Sequence, residues 1–450
     1  MTSQNSRRTI ALHSFIYGIM TLAVIVSVTI ALGWTMGFRV NLTSGQLSRV
    51  ALMQFNSFPG SANVSINGAI IGSQTATHLN VDAGRKDIII SKTGYRNWST
   101  TVNATPSDVI WLSYARLVPN RVKTRELKSF ANFTDAQMLA SPDKNHLALQ
   151  LGNLNDFMMV DVSNSTAPKF VDLKLDVNKL TAPAPGQTDK FAVIEWDPGS
   201  RYLLVRHDII NGDNSPASSE IIEVDTQNPS FNNSDVRNLS KDFNVNLTDP
   251  HFAGSTGNAF FALTGSDVRK IDYGSNSLSA PLVSNVVNYH LYGNNIFAFT
   301  TRTIAPAGQI THVAGVYNDG KIVNVKTFAD DQATDAVFNN SEGTDYLAVL
   351  HGEAGGTSRI SIYTAPLNRT NNITNLKPIV VTLPFASSTF ANSTSGRLLA
   401  ATNGKNVFTY DLETAEKYDF QLSAPSTQLV WLDDYHLVGI SSNGGQPQLA

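Results

Sequence analysis

An aromatic residue or leucine standing just before a polar turn recurs seven times between residues 136 and 450. This repeat restricts the fold more than any other feature of the chain. The anchors are Leu139, Trp196, Phe252, Leu291, Phe338, Phe390 and Trp431, spaced 57, 56, 39, 47, 52 and 41 residues apart. An apolar strand follows each one: HLALQL (146–151), YLLVRH (202–207), AFFALT (259–264), NIFAFT (295–300), YLAVLH (346–351), LLAATN (398–403) and HLVGIS (436–441). A second strand, often ending in Asp, comes next in most units, as in FMMVDV (157–162), EIIEVD (220–225) and VFTYDL (407–412). A period of roughly 40–50 residues built from strands alone, without a helical spacer, fits the four-stranded blade of a β-propeller. The reading is seven blades, with the first apolar strand of each unit taken as its inner strand.

Ser141-Pro142-Asp143 and Tyr410-Asp411-Leu412-Glu413-Thr414 make the tract resemble the WD- and TolB-like propellers. That resemblance supports the architecture and nothing finer. The chain stops partway through what would be the third strand of the seventh unit. An open ring leaves unpaired sheet edges, so residues 121–130 are expected to pair with 445–450 and close it; the alternative is a fragment with an incomplete last blade.

Upstream, residues 15–38 form 24 uncharged, largely apolar positions. At 1.5 Å per residue they cross a hydrocarbon layer about 30 Å thick. Tyr17 and Trp34 lie near the two ends, where amphipathic rings favour the headgroup zone. A cleaved signal peptide has a shorter apolar core and a small-x-small cleavage site. Here the run ends Gly33-Trp34-Thr35-Met36-Gly37-Phe38, so a retained, single-pass signal anchor is expected. Arg7 and Arg8 precede it, with Arg39 and Arg49 beyond. Charge alone orients it weakly, and the exported look of the remainder puts the N-terminus in the cytoplasm.

Between the anchor and the repeat, Val64-Ser65-Ile66-Asn67 alternates apolar with polar, and Asn67-Gly68 supplies a hairpin turn. Further strands are expected at 87–91 and 109–117, which suggests a small sandwich. The stretch resembles the PEGA domain family through Pro59-Gly60-Ser61, Val64-x-Ile66-Asn67-Gly68, Gly72, Thr75, Leu79, Gly84 and Gly94-Tyr95. Ser61 stands where the family has Ala, and Ala76 where Pro commonly follows Thr. The resemblance implies an envelope or surface module without established enzymatic activity, and a bacterial source.

Composition narrows the chemistry. Charged residues are 15% of the chain, against about 25% in an ordinary soluble protein. With a net charge of −3, no nucleic-acid partner is expected. The absence of cysteine excludes disulfides, thiolate nucleophiles and Cys-ligated metal clusters. No G-x-S-x-G elbow, P-loop or dinucleotide fingerprint is present. His146, His207, His351 and His436 fall at an edge of equivalent strands; a ring gathering ligands around the channel is one reading, and strand ends at solvent are the expected one. Glu195, Asp197 and Asp208 are read as turn-capping or solvated acids rather than paired glycosidase carboxylates. Asp208-x-x-Asn211-Gly212-Asp213-Asn214 has oxygen density reminiscent of a calcium loop but lacks the closing Glu, so it is read as a polar loop. Thirteen Asn-x-Ser/Thr triplets, among them Asn41, Asn63, Asn97, Asn103, Asn132, Asn164 and Asn392, are attributed to composition. Trp98 is read as half-buried rather than a sugar platform, and Trp196 and Trp431 as blade packing.

The expected protein is therefore all-β apart from one N-terminal transmembrane helix. A cytoplasmic tail (1–14), the anchor (15–38), a juxtamembrane linker (39–52), a PEGA-like β-sandwich (53–118), a linker with a possible closing strand (119–135) and a seven-bladed β-propeller (136–450) follow one another. The expected role is non-enzymatic, in the cell membrane, with the C-terminal domains extracytoplasmic and binding an envelope protein or glycan. No catalytic, cofactor-binding or metal residue is assigned, and no ligand-binding residue can be named. Two alternatives stand: a propeller enzyme acting on polysaccharide or peptide, and a scaffold or sensor subunit of a membrane complex. The second takes weak support from Gly18 and Gly33-x-x-x-Gly37, and a tail of 14 residues argues against a signalling receptor.

Overall fold

The computed structural model describes residues 3–35, 38–40, 47–121, 128, 137–150, 156–164, 166–227, 236–306, 308–328, 333–341, 343–353, 356–367, 377–387, 389–393, 395–422, 425, 428–431, 437–443 and 446–449. The chain divides into two compact units, residues 1–126 and 127–450, each described by itself.

The first unit opens with helix α1 (Ser3–Thr35). Within it Phe15–Gly33 is long and apolar enough to cross a membrane, with a mean hydropathy of 2.4 and none of it buried. Such a helix is a membrane anchor or a signal sequence. Strands β1 (Phe38–Val40), β2 (Leu47–Phe58), β3 (Asn63–Ile66), β4 (Ala69–Gln74), β5 (Thr77–Asp82), β6 (Gly84–Ser91), β7 (Trp98–Ala104) and β8 (Val109–Arg116) follow. They make two four-stranded sheets, one ordered β1-β2-β5 with β8 also on β2, the other β4-β3-β6-β7. Their inner faces share a core that includes Met53, Phe55, Val64, Ile88, Ile90 and Leu112, which makes this a β-sandwich. Asn67 and Gly68 both take positive φ (49° and 81°), the geometry of the tight hairpin turn expected there. Thr75 is buried, its hydroxyl 2.6 Å from that of Ser57 and accepting the Ala62 amide at 3.0 Å. The expected strands at 64–67, 87–91 and 109–117 are present. However, β2 begins at Leu47, inside the stretch read as linker, and runs parallel to β8.

Among the described residues the second unit is a succession of antiparallel sheets, six of four strands and a last one of three, each taken in chain order. All seven anchors fall on or at the end of the first strand of their sheets, and the apolar runs form the second strands. Those runs are thus not the inner strands. First strands of neighbouring sheets approach one another in blades 1 and 2, 2 and 3, 4 and 5, and 5 and 6, so they line the axis. Five hydrophobic clusters each draw on two successive sheets. Leu203 and Val205 enter the core shared with blade 1, while Leu204 enters the core shared with blade 3. A second strand is buried on both faces, which is why it reads as a continuous apolar run. This is the seven-bladed propeller of the repeat.

The Asp that often ends the third strand also has a structural role. The residue after that strand position returns its amide to a carbonyl at the start of the second strand: Val162 to Asn145, Thr226 to Arg201, Tyr273 to Asn258, Asp319 to Asn295, Ala365 to Asp345 and Leu412 to Arg397. In blades 2 and 6 a guanidinium reinforces the tie, Arg201 on Asp225 and Arg397 on Asp411, both with a closest approach of 2.6 Å. Asp411 is nearly buried and also accepts the Glu413 amide at 2.8 Å. Burial opposes its charge, but these bonds hold its carboxyl below the ordinary range. Arg397→Ala is therefore expected to cost about 1–3 kcal/mol. That exceeds an exposed ion pair, and a urea-midpoint loss under ~0.5 kcal/mol would count against the tie.

The proposed closure involves residues 121–130 and 445–450. Residues 122–127, 129–130, 444–445 and 450 lie outside the described set.

Candidate functional site

The first strands gather polar side chains into a belt that crosses from blade to blade. In blade 2 (Thr188–Trp196), Val193 donates its amide to Gln137 Oε1 and Trp196 Nε1 donates to the Leu139 carbonyl of blade 1, both at 3.1 Å. Glu195 Oε2 meets His251 Nδ1 of blade 3 at 2.6 Å, and Asp249 Oδ1 lies 3.5 Å from the other imidazole nitrogen. Tyr289 of blade 4 donates its hydroxyl to the Asp249 carbonyl at 2.5 Å and stands edge-on to His251. His290 Nε2 and Asn288 Nδ2 reach Asp335 Oδ1 of blade 5 at 2.8 and 2.9 Å, and Asn392 of blade 6 donates to Asn339 of blade 5.

Burial disfavours a charged His251, but the Asp249 and Glu195 carboxylates outweigh it and push the imidazole up to about 10. At neutral pH it is an imidazolium bridging two carboxylates. Such a group has no free base lone pair, and through Glu195 it ties blade 2 to blade 3. Among the described residues no group of three or more His, Cys, Asp or Glu has a metal-holding arrangement.

His207 and His351 are not strand ends at solvent: both are fully buried within strands Tyr202–Ile210 and Thr344–Glu353. His207 stacks on Phe191 at 4.4 Å between Glu220 and Asp189, and His351 packs edge-on to Phe328. His146 begins its strand, half-buried, and His436 lies outside the described residues. Glu195, Asp197 and Asp208 are not brought together as a pair. Asp197 is buried and caps its turn through the amides of Gly199, Arg201 and Tyr202. Asp208 takes Arg206 and Ser219 instead. Asp213 accepts from Ser215 within the hairpin, and Asn211 Oδ1 accepts from Gln187, just before the blade's first strand. Trp196 is buried between blades 1 and 2, and Trp98 packs against the sandwich core. Trp431 is half-buried on the first strand of blade 7. Asn392, within one of the Asn-x-Ser/Thr triplets, is half-buried; Asn63, Asn97, Asn103 and Asn164 are exposed, and Asn41 and Asn132 lie outside the described residues.

A site the sequence reading missed lies on the outer face of the sandwich. His78, Gln54 and Trp111 stand side by side across β5, β2 and β8. With Asn56, Thr77 and Ser113 they line a groove of about 270 Å³. Trp111 is 59% exposed. The signal was available: in Val109-Ile110-Trp111-Leu112-Ser113 a strand period of two puts Trp111 opposite the buried Leu112.

Residues 52–119 match the PEGA domain family, so the sandwich is a PEGA domain. Matches to solved structures include a prolyl endopeptidase (14% identity, TM-score 0.40, covering 84% of this chain and 54% of that one). They also include the dihydro-heme d1 dehydrogenase NirN (12%, 0.42, covering 83% and 75%) and the yeast Nup82-Nup159-Nup116 nucleoporin complex (9%, 0.44, covering 70% and 96%). No curated protein matches in sequence.

Proposed function

We propose that this is a non-enzymatic protein of the bacterial cell envelope. Its retained N-terminal helix anchors it in the cell membrane with the N-terminus cytoplasmic, and its PEGA domain and propeller stand outside to bind a protein or glycan. One observation carries the non-enzymatic part: ionisable groups on the propeller's first strands pair with one another, Glu195 with His251 and His290 with Asp335 across blades and Asp249 with His251 within blade 3. The PEGA domain and the exposed 19-residue apolar segment of α1 support the location.

The chain has no cysteine, so single engineered thiols report topology cleanly. On intact cells a membrane-impermeant maleimide is expected to label Asn103→Cys, on the exposed side of β7, and to leave Ser6→Cys unlabelled until the membrane is opened. The reverse pattern overturns the orientation, and loss of the Ser6 thiol from the mature chain overturns retention of the anchor. A propeller enzyme acting on polysaccharide or peptide is favoured by the same Glu195–His251–Asp249 cluster. That reading requires turnover that Glu195→Gln removes at unchanged stability, whereas ours requires a lowered unfolding midpoint.

A further inference from the structure

We infer that the Trp111 groove of the PEGA domain binds a neutral glycan, with a pyranose face stacked on the indole. The inference deepens the envelope-binding reading above by naming a ligand class and a place. Large apolar side chains more than half exposed are informative where they stand beside converging polar groups, and Trp111 meets that description. The indole gives a flat apolar surface at little conformational cost, and the C–H face of a pyranose is its natural complement.

The rest of the lining selects for hydroxyls. Gln54 offers an amide donor and acceptor, Asn56 an amide donor while its Oδ1 accepts the Ser57 amide at 2.9 Å, Thr77 and Ser113 hydroxyls, and His78 a ring nitrogen. Among the described residues no Asp, Glu, Lys or Arg lines the groove, so a polyanion has no cation to meet there and a basic peptide no carboxylate. A neutral, polyhydroxylated ligand satisfies both the amides and the ring. With strands ~4.8 Å apart, the row His78–Gln54–Trp111 extends over about 10 Å, the length of two linked sugar rings. The groove is held firmly from below, because Phe55 and Leu112, neighbours in sequence of Gln54 and Trp111, are each about 1% exposed in the sandwich core.

The test uses the full chain in lipid nanodiscs, since glycoside detergents would compete. Cellohexaose, hexa-N-acetylchitohexaose and maltohexaose are titrated separately by calorimetry, with polygalacturonate as the charged comparison. At least one neutral hexamer is expected to bind saturably. Trp111→Ala should weaken that binding about tenfold or more, while Trp111→Tyr keeps most of it. Trp98→Phe, in the core, should leave affinity unchanged, and the unfolding midpoint of Trp111→Ala should match the wild type because the side chain is exposed. Binding by none of the neutral hexamers, equal binding by wild type and Trp111→Ala, or preference for polygalacturonate overturns the inference. The two failures are separable. Asn103→Cys shielded from outside refutes envelope display without touching the titration, and a labelled thiol with no sugar binding refutes the groove alone.

Discussion

His207→Ala is expected to lower the stability of the propeller by about 3–5 kcal/mol, the loss typical of removing one partner from a buried charge pair. Both imidazole nitrogens face carboxylates, Nδ1 at 2.7 Å from Glu220 Oε1 and Nε2 at 2.6 Å from Asp189 Oδ1, and the ring is fully buried. Burial works against the imidazolium, but the hydrogen bonds and charges of Glu220 and Asp189 prevail and raise its pKa. Glu220 is likewise penalised by burial, yet bonds from His207, Asn238 and Thr181 draw it down to about 2. It joins strand Pro216–Asp225 to the Thr181 backbone and to Asn238 of the next strand. Without His207, Glu220 stays charged, buried and short of its cation. Adding Glu220→Gln to His207→Ala should then recover part of the loss, because the stranded charge is gone. Urea midpoints of the four proteins at pH 7 form the cycle. A loss below ~1 kcal/mol for His207→Ala, or no recovery in the double variant, would show that the cluster is not the tie described.

Much of the propeller was legible because its second strands are buried on two sides. Leu203, Leu204 and Val205 belong to two different cores, so each such strand presents an unbroken apolar run that a repeat search finds. First strands are harder, since their polar residues make sense only against partners far away in the chain. Glu195 meets His251 at a separation of 56 residues, and His290 meets Asp335 at 45. Fourth strands fade for the opposite reason: Lys417–Gln421 is exposed at every position, and nothing selects an apolar pattern there. In the sandwich the Asn67-Gly68 turn announced its hairpin locally. The parallel pair β2–β8 carries no turn signal, because it joins the first and last long strands of the domain.

The site residues divide along the same line. Asp197 behaved as its sequence suggests, since a side chain capping its own turn needs only neighbours within five residues. His207 did not, because a histidine closing an apolar run looks like a strand end until Glu220 is seen directly across the ladder. Trp111 lies in the strand expected at 109–117, and its parity against the buried Leu112 places it on the outer face. Alternation within a strand is a local signal, so the exposure of Trp111 is legible in the sequence alone.

Raising the pH from 6 to 9 is expected to destabilise the propeller steeply, and the sign follows from two groups. Glu223 is 1% exposed, and burial, with Asp197 and Asp225 adding to it against the opposing Arg237, pushes its carboxyl up to about 8 from 4.5. Arg237 Nη1, 3.1 Å away, also donates to the Gly257 carbonyl and to Asn258, so its charge is shared. The folded state therefore holds a proton that the unfolded chain has released, and stability falls as pH rises from 4.5 to 8. For His251, raised from 6.5 to about 10, the bridge contributes fully below 6.5 and is lost as pH climbs towards 10. Where the two windows overlap, between pH 6.5 and 8, the slopes add towards two protons. That is at most about 2.7 kcal/mol per pH unit, reduced by the partial solvent access of His251. His207, also raised, acts in the same direction. Urea midpoints measured across this range should fall continuously in the wild type. Glu223→Gln should flatten the lower part of the curve, and Glu195→Gln, which takes a carboxylate from His251, the upper part. A wild-type midpoint level from pH 6 to 9 would mean that neither proton is held by the fold, and the interblade belt would lose its electrostatic basis.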